Sequence, residues 1–346
     1  MDARQSGVIF KTFYETDKAK ENIMTISKLV VDYRLKRYSI RAISDTTLNL
    51  KRGKITALVG ESGSGKSTLA SAILNCIPNP GVIVSGEIYF HGNNGEKTIE
   101  IRKLSEKELN QYRWRCVSMV FQGAQSALNP VMTIFAQFYE TMKVHDKKTS
   151  KEAAYKRSCE VLKIVNLDPD RTLKMYAHEL SGGMKQRVMI AFSLLLNPDL
   201  IILDEPTTAL DVITQDYILN ILKRINREMG TSMLLLTHDI AVVAKFADYV
   251  GVMYAGKLVE YGDTLAVFEK KLHPYTAGLI NATPSLYADL EGLKPIGGNP
   301  PDLVNLPKGC VFHPRCPKCM EVCKNYMPPD TFDSSGHLVK CHLIKG

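Results

Sequence analysis

The sequence predicts an α/β fold built around a parallel sheet and a glycine-rich loop. Two short apolar runs, at 200–203 and at Ser232–Thr237, have the length and continuity of strands that are buried on both faces. The segment between them, Val212–Met229, has helical length and is followed by Gly230, a residue typical of helix C-termini. Upstream, an apolar strand at Ile55–Val59 enters the loop GESGSGKST. This order of strand, loop, helix and strand favours an α/β core.

The elements before the loop and directly after it follow from local patterning. Residues 1–22 form a polar extension, and alternating apolar and polar residues predict a strand at 23–33. Residues 48–50 and 55–59, with Gly53 as the turn between them, predict a hairpin that enters the loop. After the loop we expect a helix over 66–77, up to Pro78, and a short strand over 86–91.

The middle of the chain is largely helical between residues 105 and 197. Apolar residues at helical spacing predict a helix over 151–166 that ends before Pro169. Ser181 is a natural N-cap for a second helix that continues to residue 196. This stretch interrupts the α/β core, and we therefore expect a helical subdomain at about 105–197.

After about residue 272 the composition changes, because most prolines and five of the eight cysteines fall in this last part. The sequence therefore predicts an extension at 1–22, an α/β domain at 23–271 and a small cysteine-rich C-terminal module at 272–346. Each motif occurs once, so no internal repeat is expected.

Composition indicates an ordinary globular protein, with 45% hydrophobic and 23% charged residues. No apolar run approaches the roughly 20 residues of a spanning helix, and the N-terminus does not resemble a secretion signal. We expect the chain to work in the cytoplasm. The net charge of +8 favours a solvated basic surface over a nucleic-acid groove, because basic residues do not form long runs with interleaved aromatics.

The glycine-rich loop has the pattern G-x4-G-K-S in the context that phosphate binding requires, after a strand and before a helix. Its backbone N–H groups and the helix N-terminus would face the phosphates of a nucleotide. Lys66 would reach the β- and γ-phosphates, and the hydroxyl of Ser67 would bind Mg²⁺. The predicted nucleotide-binding residues of the loop are Gly60, Ser62, Gly63, Gly65, Lys66, Ser67 and Thr68.

Four further side chains are placed to act on the phosphates. Asp204 ends the strand at 200–203 and is expected to hold Mg²⁺ through water, and Glu205 is expected to activate the water that attacks the γ-phosphate. His238 ends the next apolar strand and is predicted to contact the γ-phosphate. Gln122 follows an apolar pair and is predicted to contact Mg²⁺ or the attacking water.

The segment LSGG leaves unpaired N–H groups at a helix N-terminus, formed by Ser181, Gly182 and Gly183. This end cannot reach the phosphate loop of its own chain, which points to a second copy or a paralogue. Two ATP molecules would then lie between two chains. Asp211, in the segment TTALD, would lie at the crossing between the two sites.

Together these motifs resemble the ABC-type ATPases, in which LSGG shortly precedes a strand that ends in Asp-Glu. From about Met24 to Gly346 the chain resembles the ATP-binding subunits of the oligopeptide/dipeptide ABC importer family. The specific segments are SGGMKQRVMIA at 181–191, EPTTALDV at 205–212, HPYTAGLINATP at 273–284 and LPKGCVFHPRCP at 306–317. In FQGAQSALNP, Gly123 and Ala124 replace the Asp-Pro that family members often carry.

The resemblance implies a P-loop NTPase fold, namely an ABC nucleotide-binding domain with a RecA-like core and a helical subdomain. It implies ATP hydrolysis with Mg²⁺, with Tyr33, or alternatively Tyr38, stacking on adenine. The implied partners are a second ABC ATPase subunit, related in sequence, two membrane permease subunits and, indirectly, an extracellular solute-binding protein. The chain would lie peripherally on the cytoplasmic side of the cell membrane and would have no nucleic-acid partner.

The resemblance also implies the solute, which would be an oligopeptide, with an oligosaccharide or nickel as alternatives. A soluble ABC ATPase that acts on nucleic acid or ribosomes is an alternative of another class. Such proteins usually show tandem cassettes, long coiled coils or strongly basic linkers, and the sequence has none of these.

The C-terminal cysteines raise the possibility of a metal site, because a reducing compartment disfavours disulfides. Cys316-x2-Cys319 with two more thiols would suit zinc, and free buried thiols are the simplest alternative. The resemblance implies a [4Fe–4S] cluster, and this is the expectation we take forward. Its ligands would be Cys310, Cys316, Cys323 and Cys341.

Overall fold

The structure is a computed structural model, and it describes residues 17–92, 95–123, 126–208, 210–282 and 296–344. Most of the predicted extension, Ala124 and residues 283–284 of the C-terminal motif lie outside this range. The strands are β1 (Asn22–Arg34), β2 (Ser39–Lys51), β3 (Ile55–Val59), β4 (Gly81–Gly92), β5 (Lys97–Glu100), β6 (Val117–Val120), β7 (Leu200–Asp204), β8 (Ser232–Thr237), β9 (Tyr249–Tyr254), β10 (Lys257–Asp263), β11 (Thr331–Phe332) and β12 (Leu338–Val339).

The helices complete the α/β composition that the sequence predicts. They are α1 (Asp17–Glu21), α2 (Lys66–Ile73), α3 (Glu106–Arg115), α4 (Ile134–His145), α5 (Lys151–Ile164), α6 (Pro169–Thr172), α7 (Gly182–Ser193), α8 (Val212–Met229), α9 (Ile240–Phe246), α10 (Thr264–Lys270), α11 (Pro274–Asn281) and α12 (Glu321–Asn325). Within the described ranges, none of these helices combines the length and the apolar character that crossing a membrane requires.

Contacts group the described residues into two compact units that interleave along the chain. The first unit comprises the described parts of Met1–Ile23, Lys51–Gly53 and Phe90–Leu234. The second unit comprises the described parts of Met24–Leu50, Lys54–Tyr89 and Leu235–Gly346. The domain limits drawn from the sequence stay predictions.

In the first unit, β6 pairs in parallel with β7, and Val120 lies opposite Leu203. Because parallel strands end at the same edge, this register brings Gln122 close to the Asp204–Glu205 pair. The helix α8 begins and ends as predicted, since Asp211 caps its first turn and Gly230 adopts a left-handed φ of 67° at its end. The helix α7 begins after Ser181, which caps it as predicted, but it ends at Ser193 and not at the predicted residue 196.

In the second unit, β3 pairs in parallel with β9, and β9 pairs antiparallel with β10, which is followed by β12 and β11. The predicted hairpin across Gly53 is therefore wrong, because β2 lies beside β1. All five residues of β3 are buried, as in a strand inside a parallel sheet. The helix α2 ends at Ile73, earlier than predicted, because Asn75 adopts a positive φ of 48°.

Candidate functional site

The glycine-rich loop of the second unit turns sharply between β3 and α2. Gly60 and Gly65 have φ values of 154° and 101°. A side chain at Gly60 would overlap the carbonyl oxygen of Met253, and a Cβ at Gly65 would lie 2.5 Å from the carbonyl oxygen of Ala42. Only glycine fits at these two positions, because the loop packs directly against the backbone of neighbouring segments.

Lys66 supplies the positive charge of this loop. Its Nζ donates to the carbonyl oxygens of Gly60 and Glu61, at 2.7 and 3.1 Å, and to the Ser64 hydroxyl at 3.2 Å. Ser67, on the first turn of α2, is exposed. A lysine held at a helix N-terminus is an arrangement suited to an anion such as a phosphate.

The two tyrosines predicted as candidates for stacking on adenine differ in their surroundings. The hydroxyl of Tyr33 lies 3.4 Å from the hydroxyl of Thr68, at the second position after Lys66 on α2. Tyr38 is half exposed, and it follows the end of β1. The geometry therefore associates Tyr33 with the loop, and stacking of either ring on a base stays a prediction.

Glu205 lies at the end of the buried strand β7 in the first unit. Its Oε2 accepts hydrogen bonds from the Gln122 amide and the Thr208 hydroxyl, each at 3.0 Å. Its φ of 48° is uncommon for a residue other than glycine and carries a conformational cost, which is found most often at functional sites. Asp204, directly before it, is 5% exposed. The pair therefore offers one buried carboxylate and one held in a fixed direction.

The LSGG segment and Asp211 meet in one pocket of about 510 Å³ in the first unit. The hydroxyl of Ser181 accepts the Met184 N–H at 3.3 Å, and Asp211 accepts both the N–H and the hydroxyl of Thr214. The hydroxyl of Thr214 lowers the pKa of Asp211. The pocket is lined by Ser181, Gly182, Gly183, Arg187, Leu210, Asp211, Ile213, Thr214 and Tyr217.

The structure therefore brings the predicted site residues together in three groups. The phosphate loop lies with Tyr33 in the second unit, whereas the first unit holds Gln122 beside Glu205 and the LSGG segment beside Asp211. His238 is exposed and directly follows β8, before the helix α9. Its contact with a phosphate stays a prediction.

Three contact residues escaped the sequence analysis. Thr208 lies inside the quoted segment EPTTALDV, three residues after Glu205, a spacing that lets its hydroxyl turn back to the carboxylate. Arg187 and Tyr217 line the LSGG pocket, and the Arg187 guanidinium lies 5.4 Å from the centre of the Tyr217 ring. Those two come from different helices, and no local pattern relates them.

The predicted iron–sulfur cluster is wrong. The described part of the chain has no group of three or more His, Cys, Asp or Glu side chains that could hold a metal ion. This finding gives the zinc alternative no support either. The four predicted ligands do line one cavity with Phe312, but its volume is about 10 Å³, roughly the space of a single water molecule. The predicted ligands are Cys310, Cys316, Cys323 and Cys341.

The surroundings of three of these cysteines favour the neutral thiol. Burial raises the pKa of Cys310 to about 11, and it also raises the pKa values of Cys316 and Cys341. All eight cysteines of the chain, each within the described ranges, are free. The buried thiols of Cys323 and Cys341 contribute packing.

Two family models match the chain. The model described as ABC transporter matches residues 43–208, and the model described as oligopeptide/dipeptide transporter, C-terminal region, matches residues 259–323. The first covers the phosphate loop, the LSGG segment and Glu205, and the second covers most of the C-terminal cysteines.

Curated relatives match almost the whole chain. The dipeptide transport ATP-binding protein DppD of Caldanaerobacter subterraneus subsp. tengcongensis is 42% identical, over 93% of this chain and 97% of its own length. The oligopeptide transport ATP-binding protein OppD of Escherichia coli is 43% identical, over 92% of each chain.

A solved structure shares the fold. The dimeric ATP-binding cassette MJ0796, in a post-hydrolysis state bound to ADP and Pi, aligns with a TM-score of 0.60 at 31% identity. The alignment covers 70% of this chain and 98% of that chain. The α/β fold is therefore that of an ABC nucleotide-binding domain.

Proposed function

The chain belongs to the oligopeptide/dipeptide family of ABC transporter ATP-binding proteins, and from this premise we propose that it hydrolyses ATP to drive peptide uptake. Its relatives are named for oligopeptide and dipeptide transport, which favours a peptide over an oligosaccharide or nickel. The same names favour a transport role over an ATPase that acts on nucleic acid or ribosomes.

The phosphate loop is the part of the chain that we assign to ATP binding. The tight glycine turn and the Lys66 ammonium at the start of α2 support this assignment, because a glycine-rich turn, a helix N-terminus and a positive charge suit a triphosphate. Tyr33 is the better of the two candidates for stacking on adenine, since its hydroxyl lies beside Thr68.

The Mg²⁺ that accompanies ATP prefers hard oxygen ligands. Ser67 offers an exposed hydroxyl, Gln122 an amide oxygen and Asp204 a buried carboxylate, so the donor set is of the right chemistry. An ion held by ligands of this kind would neutralise charge on the phosphates.

One observation carries the hydrolytic assignment, namely the carboxylate of Glu205 held by Gln122 and Thr208. We assign Glu205 as the general base, which takes a proton from the water that attacks the γ-phosphate. The bond from the γ-phosphorus to the bridging oxygen breaks, and ADP leaves with inorganic phosphate as the second product. Gln122 orients the carboxylate, and His238 contacts the γ-phosphate.

A second ATPase subunit completes this scheme. The pocket of LSGG and Asp211 supports the proposal that Ser181, Gly182 and Gly183 bind the nucleotide of a partner chain, because their N–H groups stand at a helix N-terminus. MJ0796, which shares the fold, is a dimer. We propose a related paralogue as the partner.

Transport also requires membrane partners, and we propose two permease subunits with an external solute-binding protein that acts through them. The chain would then dock peripherally on the cytoplasmic side of the membrane.

The experiment is ATP-dependent peptide uptake in a reconstituted system. Vesicles that contain the chain, its partner ATPase and two permeases are loaded with Mg-ATP, and the solute-binding protein and a labelled oligopeptide are added outside. We expect uptake with the wild-type chain and none with the Lys66→Ala variant. Equal uptake with the wild-type chain and the variant would contradict the proposed function.

A further inference from the structure

A bidentate ion pair joins the phosphate loop to the C-terminal part of the second unit. The Arg315 guanidinium donates to both oxygens of the Glu61 carboxylate, at 2.8 Å from Nη1 to Oε2 and 3.0 Å from Nη2 to Oε1. Only 6% of the Arg315 side chain is exposed, against 26% for Glu61. Two parallel bonds between charged groups form the strong and directional version of such a contact. Glu61 directly follows Gly60, so the pair fixes the first turn of the loop.

Arg315 is itself held in place by other groups. Its guanidinium donates to the carbonyl oxygen of Gly297 at 2.9 Å and to the hydroxyl of Tyr254 at 3.3 Å. It also lies over the Tyr254 ring, 5.8 Å from the ring centre. The hydrogen bonds with Glu61 raise the pKa of Arg315 above its usual value. The arginine is therefore a fixed, permanently charged partner for the loop.

The backbone of Glu61 is held from the same side. Its N–H donates to the hydroxyl of Tyr275 at 3.0 Å. Tyr275 is fully buried, and its ring packs against that of Tyr254 with centroids 4.6 Å apart. His273 fixes the start of α11, because its Nδ1 accepts the Tyr275 N–H at 3.0 Å. The backbone N–H and the carboxylate of Glu61 therefore both bind the segment that matches the oligopeptide/dipeptide C-terminal model.

This arrangement has an electrostatic consequence for the loop. A carboxylate beside a triphosphate site opposes the ligand unless a positive charge compensates it. Arg315 supplies that charge and also keeps the Glu61 side chain turned toward the C-terminal segment. We propose that Arg315 and Tyr275 are positioning residues that hold Glu61 and thereby set the affinity of the phosphate loop for ATP. This inference rests on the proposed function, in which the loop binds ATP.

The test compares ATP binding by variants of the full-length chain, by calorimetry with Mg-ATP. Arg315→Gln is expected to raise the Kd for ATP about tenfold, because it frees a carboxylate beside the site. Adding Glu61→Gln removes that charge, so the double variant is expected to bind no more weakly than Arg315→Gln alone. Lys324→Met is the matched control, since it breaks an exposed ion pair with Glu321 in the same region.

Kinetics separate positioning from general damage. The KM for ATP is expected to rise with the Kd, whereas kcat at saturating ATP stays within about twofold of wild type. If Arg315→Gln does not fold, Tyr275→Phe tests the inference in its place, because it removes one hydroxyl and keeps the ring. It is expected to raise the Kd for ATP about threefold.

Two results would overturn the inference. One is a wild-type Kd for ATP in a folded Arg315→Gln chain or, if that variant does not fold, in the Tyr275→Phe chain. The other is a double variant of Glu61→Gln and Arg315→Gln that binds ATP more weakly than Arg315→Gln alone. A wild-type chain that does not bind ATP would instead contradict the proposed function, and the inference with it.

Discussion

The side-chain amide of Gln122 donates a 3.0 Å hydrogen bond to the carboxylate of Glu205, across 83 positions of sequence. The parallel register of β6 and β7 makes this contact possible, because the two residues follow neighbouring strand ends. The hydroxyl of Thr208 approaches the same oxygen of Glu205 from a turn three residues later. The proposed general base is therefore oriented by one residue from each of two segments.

Thr208→Val is expected to lower the turnover of ATP about fivefold, since the loss of one hydrogen bond costs on the order of 1 kcal/mol. The Kd for ATP should not change, because Thr208 acts on the carboxylate. Steady-state hydrolysis and equilibrium binding measure the two effects. Thr207→Val is the matched control, since the Thr207 hydroxyl bonds to Gln215. Equal turnover in the two variants would remove Thr208 from this role.

Acid is expected to destabilise the fold through His273. Burial lowers the pKa of His273 to about 4 from an ordinary value of 6.5, and its Nδ1 accepts a hydrogen bond as a neutral ring. The unfolded chain therefore binds the extra proton first, and the free energy of unfolding falls as the pH drops from 6.5 toward 4. The largest loss is about 3 kcal/mol.

Urea unfolding across this pH range measures the effect of His273. His273→Gln should flatten the dependence, because glutamine does not titrate. The same slope in the variant and the wild type would show that another group is responsible.

The LSGG segment should act on the nucleotide of the partner. In mixed dimers, Ser181→Arg in one chain is expected to disable the site whose phosphate loop belongs to the other chain. If the phosphate-loop lysine of that other chain is replaced by alanine, both lesions fall in one site and the second site keeps about half of the activity. If both lesions are placed in one chain, they disable different sites. ATPase assays on purified mixed dimers distinguish the two arrangements, and identical losses would contradict action in trans.

The cysteines should differ in their reactivity toward a thiol reagent. Because the pKa of Cys310 is about 11, only about one thiol in a thousand is ionised at pH 8, and labelling should accelerate as the pH rises. Cys319 is exposed and should react before Cys310. Labelling followed by peptide mapping measures each rate, and equal rates at the two cysteines would contradict the burial of Cys310.

Local features of the chain were predictable, and pairings between distant segments were not. The helix α8 matches its predicted limits because its caps, Asp211 and Gly230, lie in the sequence beside it. The predicted hairpin across Gly53 is wrong because tertiary contacts determine which strands pair with β2 and β3.

The candidate site shows the same division. The phosphate loop and Glu205 carry local motifs, so their residue types were visible. The pairing of Glu61 with Arg315 spans 254 positions and left no local trace, although each residue lies inside a quoted motif. The cluster was expected from resemblance to a four-cysteine family pattern, whereas the described residues hold no group that could bind a metal, and the cavity that these thiols line has a volume of about 10 Å³.

The central claim is that Glu205 activates water in an ATPase that works as a dimer, and steady-state hydrolysis by Glu205→Gln tests it most directly. Glutamine keeps the size of the side chain but cannot accept the proton. The variant should bind ATP, turn it over at least about a hundredfold more slowly and accumulate as an ATP-bound dimer with its partner. Near-normal hydrolysis by this variant would contradict the account.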